Sequence, residues 1–129
     1  GELSGFRTSS TSCDIYSPDD LEPVTSAHKR ISDIVYWGMR WDYPKYDSLL
    51  YNKLTEYYGK INAEVTINDI VSSVKTDDLK TVVYDLTDMK MWVANARADH
   101  EKGPLAAYDR QFVEFDMKDI FSKAESFRK

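Results

Sequence analysis

Two runs of β-branched and aromatic residues, separated by a short polar break, constrain the fold of this chain most strongly. The runs are TVVY at 81–84 and MWV at 91–93, and the break between them is LTDM at 86–89. Branched and aromatic side chains favour pleated strands, and a short polar break favours an antiparallel return. The pattern therefore predicts a β-hairpin with strands at about 79–86 and 89–96.

Apolar residues recur at i, i+3 and i+4 in three places before the hairpin, which predicts three helices. The first lies at about 27–40, with Thr25 and Ser26 as candidate caps. The second lies at about 45–58, because Pro44 suits a first helical turn and Gly59 a helix end. The third is short and is predicted to begin at a cap formed by Thr66.

The remaining segments are predicted from their composition and position. A loop at 99–105, a strand at 111–115 and a terminal helical turn at 119–127 follow the hairpin. Residues 1–26 are rich in Ser, Thr, Asp and Pro, which favours an extended surface segment. We expect 27–129 to form the helices and strands of one larger domain.

Helices first and antiparallel strands second indicate the α+β class. The first strand would place apolar side chains on both faces of its sheet, which is typical of a sheet covered on both sides. One face would carry Val82, Tyr84 and Leu86, and the other Thr81, Val83 and Asp85. Three strands are few for a sheet of this kind, so the chain is expected to be part of a larger fold.

Composition excludes some classes of partner. The chain has 129 residues, 42% of them hydrophobic, which is enough for a packed core. Its formal net charge of −5, without a basic cluster, argues against binding nucleic acid or anionic lipid. The longest apolar runs are too short for a membrane span, and no signal segment opens the chain. Gly1 in place of Met is interpreted as a processing site rather than an engineered start.

The candidate nucleophile and metal ligands are few. Cys13 is the one cysteine, and the carboxylate of the neighbouring Asp14 does not activate a thiol, so a free, structural or interchain thiol is favoured over a nucleophile. His28 and His100 lie far apart and outside any metal-ligand spacing, so we predict no metal site and no cofactor.

Aromatic residues concentrate in the predicted first and second helices. Aromatic rings can line a pocket for an apolar acyl chain, and Trp37 and Trp41 are candidate substrate-binding residues on this interpretation. Core packing is the favoured alternative, since the spacing follows the helical period. The set comprises Tyr36, Trp37, Trp41, Tyr43, Tyr46, Tyr51, Tyr57 and Tyr58.

Asn95 and Arg97 follow the second hairpin strand and are further candidates for substrate binding. A guanidinium fixed at a strand end can bind a carboxylate in a bidentate manner. An ion pair of Arg97 with Asp85 or Asp99 is the favoured alternative. Arg110 presents the same choice, and we expect it to pair with Asp109 and order the loop after Gly103.

Five motifs together resemble the C-terminal part of N-terminal-nucleophile amide hydrolases. Within this family, the motifs resemble isopenicillin N acyltransferase-like proteins more than they resemble acid ceramidase-like enzymes. The likeness covers about 36–121. The motifs are YWGMRW at 36–41, YGKI at 58–61, TVVYDLT at 81–87, VANAR at 93–97 and AYDRQF at 107–112.

The resemblance implies a fold in which two antiparallel sheets stack between helical layers, an αββα arrangement. It also implies a precursor that cleaves itself to expose a Cys, whose α-amino group acts as general base. This chain does not begin with Cys, so the nucleophile is expected upstream, in a companion chain of the same precursor. The implied substrate is a small-molecule amide, and the implied location is the lysosomal or secretory pathway, with the cytoplasm as an alternative.

A different class of function stays open beside the amide hydrolase or acyltransferase. The chain can be interpreted as a stand-alone α+β interaction module without catalysis, whose aromatic helices bind a protein partner. Sequence alone leaves enzyme status undecided between these two interpretations.

Overall fold

A computed structural model describes residues 5–8, 11, 13–17, 29–36, 44–75 and 78–126. The chain divides into two compact units, 1–56 and 57–129, and each is described here by itself. The mixture of helices with an antiparallel sheet confirms the α+β class.

The first unit contains a two-stranded sheet and one helix. Strands β1 (Gly5–Thr8) and β2 (Cys13–Tyr16) pair antiparallel within the predicted surface segment, and the side chains of Cys13 and Ile15 are exposed. Helix α1 (Pro44–Glu56) confirms the second predicted helix. It is followed by a turn that ends in the left-handed Gly59, where φ is 75° and a side chain would be strained.

The predicted helix at 27–40 is wrong over 29–36. This segment forms a turn in which Ile31 and Ile34 make an isolated bridge and Asp33 adopts a left-handed φ of 60°. The Ser32 hydroxyl donates to the Asp33 carboxylate, and such short polar side chains favour turns over helix interiors. The apolar residues that fit a helical spacing therefore belong to a turn. The rest of the predicted helix lies outside the described residues.

In the second unit, a helical region precedes the sheet. It consists of α2 (Ala63–Val65), a π-helical segment (Thr66–Val71) and α3 (Ser72–Val74), and it ends at Lys75 with a φ of 55°. The helix is present as predicted, but it starts earlier. Asn62 is the cap, because its Oδ1 accepts the backbone N–H of Val65 at 2.9 Å, whereas Thr66 lies within the helical region.

The sheet has the strand order β3-β4-β5 and is antiparallel throughout. Strands β3 (Lys80–Asp85) and β4 (Lys90–Asn95) confirm the predicted hairpin, and β5 (Val113–Asp116) confirms the third predicted strand. A 3₁₀ turn (Ala107–Asp109) precedes β5, and helix α4 (Met117–Ser126) follows it. Helix α4 confirms the predicted helical segment at 119–127 over its described residues and starts two residues earlier.

The two faces of the sheet differ in burial. On the inner face, Thr81, Val83 and Ala94 are buried, together with Ile70 and Val74 of the helical region. The outer face carries six apolar side chains, none of which is buried, and Tyr84 is 58% exposed. The second unit therefore buries residues on one face of its sheet, while the apolar side chains described on the other face are half exposed and half intermediate in burial. The outer face comprises Val82, Tyr84, Met91, Val93, Val113 and Phe115.

Candidate functional site

The end of β4 brings two of the sequence-predicted residues to the same corner of the sheet. Asn95 is the last residue of the strand, lies opposite Lys80 and is exposed. Ladder pairing continues for one more residue, since the Ala96 N–H donates to the Leu79 carbonyl at 2.8 Å. Arg97 follows and is half-buried. The strand thus positions the backbone of both candidates, while the Asn95 carboxamide faces solvent.

Arg97 binds the backbone of the following loop. Its Nη1 donates to the Gly103 carbonyl at 3.2 Å, and its backbone N–H donates to the Leu105 carbonyl at 2.9 Å. Among the described residues it makes no ion pair, so the predicted pair with Asp85 or Asp99 is wrong. Backbone carbonyls across the loop lie closer to Arg97 than either carboxylate.

Asp85 has a different role from the one expected of it. Its Oδ1 accepts the backbone N–H groups of Thr87 and Asp88 at 2.9 and 3.0 Å. An aspartate that binds the backbone two and three residues ahead stabilises a turn. Asp85 therefore shapes the hairpin turn rather than neutralising Arg97.

Arg110 holds the same loop from its other end. Its Nη2 lies 2.9 Å from Glu101 Oε2, and its Nη1 donates to the Pro104 carbonyl at 3.4 Å. The expected partner, Asp109, is not the one that Arg110 contacts, because Asp109 takes part in the 3₁₀ turn and is exposed. Arg110 was expected to order the loop after Gly103 through Asp109, and it instead contacts Glu101 and Pro104 on either side of Gly103.

Glu101 is a residue that sequence reasoning missed. Its Oε2 accepts the backbone N–H of Ala98 at 3.2 Å as well as binding Arg110. The hydrogen bond from Ala98, reinforced by the charge of Arg110, lowers the pKa of the Glu101 carboxyl below its ordinary value. No local sequence pattern indicated the contact between Glu101 and Arg110, because the two residues become neighbours only when the loop folds back.

The two arginines and Glu101 together form what we call the loop clamp: Arg97, Glu101 and Arg110 around residues 98–105. Arg97 Nε is buried and has no hydrogen-bond partner among the described residues, while Nη1 is engaged by a carbonyl. The clamp therefore fixes a loop more directly than it presents a guanidinium to a ligand. Asn95, whose carboxamide makes no hydrogen bond in the described part of the chain, is the better placed of the candidates to contact a substrate.

The aromatic candidates divide into two groups. Trp37 and Trp41 lie outside the described residues, so their predicted place in a substrate pocket stays a prediction. Tyr36 is 5% exposed, and its ring lies 6.4 Å from that of Tyr51 in α1. Its hydroxyl donates to the Lys29 carbonyl, and Lys29 Nζ lies 5.1 Å from the centre of the Tyr51 ring. These contacts favour core packing for Tyr36.

A small surface pocket adjoins this aromatic pair. It is lined by Lys29, Ser48, Tyr51 and Asn52. Its lining has one cation and neutral polar groups, without a nucleophile paired to a base. The pocket therefore offers no catalytic arrangement in the part of the chain described.

Of the remaining candidates, those that the structure describes show no catalytic or metal-binding geometry. Cys13 is an exposed free thiol, and His100 is exposed in its loop, whereas His28 lies outside the described residues. No group of three or more His, Cys, Asp or Glu side chains able to hold a metal ion occurs within the described ranges. No helix among the described residues is long and apolar enough to cross a bilayer.

A second polar cluster bridges β4 and β5. Glu114 Oε1 lies 2.5 Å from Lys90 Nζ, and Glu114 Oε2 accepts the indole N–H of Trp92 at 3.1 Å. The hydrogen bond and charge of Glu114 raise the pKa of Lys90, and Asp116 and Asp88 add to the effect. This cluster ties the last strand to the hairpin and was not predicted from local sequence spacing.

Comparison with protein-family models, with curated proteins and with solved structures finds no match for this chain.

Proposed function

We propose that this chain is the C-terminal portion of an amide-bond hydrolase or acyltransferase and supplies sheet and helical cover rather than the nucleophile. Two of the motifs behind the resemblance fall on regular structure, with TVVYDLT covering β3 and its turn and VANAR covering the end of β4. A third, AYDRQF, contains the 3₁₀ turn and one arginine of the loop clamp. These placements support a shared scaffold.

The observation that carries the proposal is the apolar and partly exposed outer face of the sheet. Apolar patches of this kind on a soluble domain mark surfaces that another element covers. In the resembled family, two antiparallel sheets stack face to face, and such sheets pack about 10 Å apart with interdigitated side chains. The outer face is where the second sheet, from the upstream part of the precursor, would pack.

In this proposal, Asn95 and Arg97 have separate roles. Asn95 ends β4 with an exposed carboxamide, which would donate a hydrogen bond to the carbonyl oxygen of a small-molecule amide substrate. Arg97 would position the loop at 98–105 beside it through the Gly103 carbonyl. The Cys nucleophile and its α-amino base would come from the upstream chain.

The second candidate function is a stand-alone binding module without catalysis. The same outer face favours it, because an apolar sheet face can equally be covered by an unrelated protein. The two functions differ in whether the assembled protein, once this face is covered, catalyses a reaction on an amide or only binds its partner.

Co-expression with the upstream part of its natural precursor tests the first function and separates it from the second. We expect a stable complex with an apolar interface above about 2,000 Å² and turnover of N-acyl amides. Val113→Ser and Phe115→Ser should weaken the complex, whereas Phe121→Ser, a control on exposed α4 positions, should not. Asn95→Ala should lower kcat by about 10²-fold or more without affecting assembly, and Asn68→Ala is the matched control.

The outcomes separate the candidates. A complex without amide turnover would contradict catalysis and favour the binding module. A chain that stays monomeric in the presence of its upstream part would contradict the hydrolase portion and leave the binding module, whose partner is an unrelated protein. Unchanged kcat in Asn95→Ala would remove that residue from the site.

A further inference from the structure

The outer edge of β5 carries backbone groups that point away from the sheet. In an antiparallel ladder, hydrogen-bonded pairs alternate with non-bonded ones. The Met117 N–H donates to the Met89 carbonyl at 2.9 Å, so the bonded pairs between β5 and β4 are Phe115 with Met91 and Val113 with Val93. The intervening Glu114 therefore directs its N–H and C=O away from β4.

The central strand confirms this alternation independently. The bond from Ala96 to the Leu79 carbonyl places Thr81–Ala94 and Val83–Trp92 among the bonded pairs of β3 and β4. Even-numbered residues of β4 therefore bond to β3, and odd-numbered ones to β5. The two ladders agree, since each residue of a central strand pairs on one side only.

The edge is open in the part of the chain that the structure describes. All four residues of β5 are exposed, and no backbone hydrogen bond from another described segment reaches the Glu114 side of the strand. The opposite edge, on β3, has α2 and the 3₁₀ turn nearby, and its outward backbone groups include the N–H of Tyr84. Unpaired edges are templates for an added strand.

The side chains beside this edge differ in chemistry on the two faces. On the outer face, Val113 is 55% exposed and Phe115 39% exposed. On the inner face, Glu114 and Asp116 lie at the edge with Lys90 behind them. The carboxylates of Glu114, Asp116 and Asp88 all act on the ammonium of Lys90. These four residues together carry a net charge of −2. One face is apolar and the other acidic.

We propose that the outer edge of β5 binds an extended segment of another polypeptide as an added strand, with apolar and Lys or Arg side chains in alternation. Side chains of a strand point alternately to the two faces, so the apolar ones would meet Val113 and Phe115 and the basic ones Glu114 and Asp116. Main-chain bonds to Glu114 would fix the strand. The edge would bind such a segment whether or not the chain belongs to an amide hydrolase.

Charge disfavours a second copy of this chain as the occupant. Pairing β5 with its own copy would place Glu114 and Asp116 of one chain beside those of the other. Like charges across neighbouring strands destabilise a sheet. The acidic face therefore selects a basic strand and opposes self-association.

A fluorescent eight-residue peptide of alternating Val and Lys tests the proposal by anisotropy with the full chain. We expect it to bind about tenfold or more tightly than the matched peptide of alternating Val and Glu. N-methylation of alternate peptide amides gives two forms, one for each edge of the peptide. Only the form that blocks the edge facing β5 should lose binding.

Protein variants provide a second line of test. Glu114→Pro removes the outward N–H together with the carboxylate, so it should abolish peptide binding, and the loss beyond that of Glu114→Gln is the part due to the N–H. Tyr84→Pro removes the equivalent outward N–H on β3 and is the matched control, with binding unchanged. Glu114→Gln keeps the N–H and removes one charge, so it should reduce the preference for the basic peptide several-fold.

Several results would overturn the proposal. Equal binding of the Lys and Glu peptides would remove the charge argument, and indifference to N-methylation would exclude strand addition. Binding lost in Tyr84→Pro but kept in Glu114→Pro would assign the site to β3. If the chain self-associates and Glu114→Pro abolishes that self-association, the occupant of the β5 edge is a second copy of this chain instead.

Discussion

Arg110 and Glu101 form an ion pair of 2.9 Å across the loop that contains Gly103 and Pro104, and this pair joins the loop to the residue that follows the 3₁₀ turn. The left-handed Gly103, with a φ of 101°, lets the chain turn between them. Because Arg110 follows the 3₁₀ turn and Glu101 lies in the loop, the order of the loop depends on the Glu101 carboxylate.

The stability of the clamp should depend on pH. The folded pKa of Glu101 is lowered from 4.5 by the Ala98 N–H and by Arg110, so its contribution is present above pH 4.5 and lost as pH falls through the folded value. Thermal melts of the wild type and Glu101→Gln should therefore differ at pH 6, and the difference should shrink as the pH falls below 4.5. A difference in Tm that stays constant across this range would contradict the assignment.

Protection of the loop against trypsin should depend on both arginines. Lys102 is an exposed cleavage site inside the clamp. Arg97→Lys and Arg110→Lys lose hydrogen bonds to Gly103 and Pro104, each worth about 1 kcal/mol, so cleavage after Lys102 should accelerate several-fold. Lys102→Gln is the control that removes the site. If Arg97→Lys changes amide turnover and leaves cleavage unchanged, Arg97 faces a ligand instead.

Amide hydrogen exchange should alternate along β5. Phe115 is in a bonded pair with β4, whereas the Glu114 N–H points outward, so Phe115 should be protected and Glu114 should exchange rapidly. The amides of Met91 and Trp92 on the central strand should both be protected. Protection of Glu114 in the isolated chain would mean that this edge is already paired.

The start of the helical region should depend on Asn62 rather than Thr66. Asn62→Ala removes the acceptor for the Val65 N–H and should cost about 0.5–2 kcal/mol in urea unfolding. Thr66→Ala should cost less, because the Thr66 hydroxyl donates to the Asn62 carbonyl and satisfies no free backbone N–H of the first turn. Equal costs would show that the first turn is not capped by Asn62.

The elements predicted correctly are those in which the local sequence pattern and the tertiary contacts favour the same secondary structure. The hairpin was predictable because β-branched residues, a polar break and an antiparallel register all favour it, and α1 because Pro44 and Gly59 bound it. The segment at 29–36 was not, since Ile31 and Ile34 fit a helical spacing and a narrow turn equally. The polar Ser32–Asp33 pair decides between them.

The candidate site was predictable in position but not in its contacts. Arg97 and Arg110 were identified from the strand end and the Gly-Pro turn, and both do bind the loop between them. Their partners were wrong because adjacency in sequence suggested Asp99 and Asp109. The actual partners, a carbonyl and Glu101, become neighbours only after the loop returns to the sheet.

The π-helical segment at Thr66–Val71 has a consequence for how this chain should align with its relatives. Its bonds span one residue more than those of an α-helix, so the segment accommodates an extra residue between α2 and α3. Deleting one residue there would let the two short helices merge into a single α-helix without disturbing the strands. We expect alignments of homologous chains to show a one-residue gap within 66–71, where insertion and loss are tolerated.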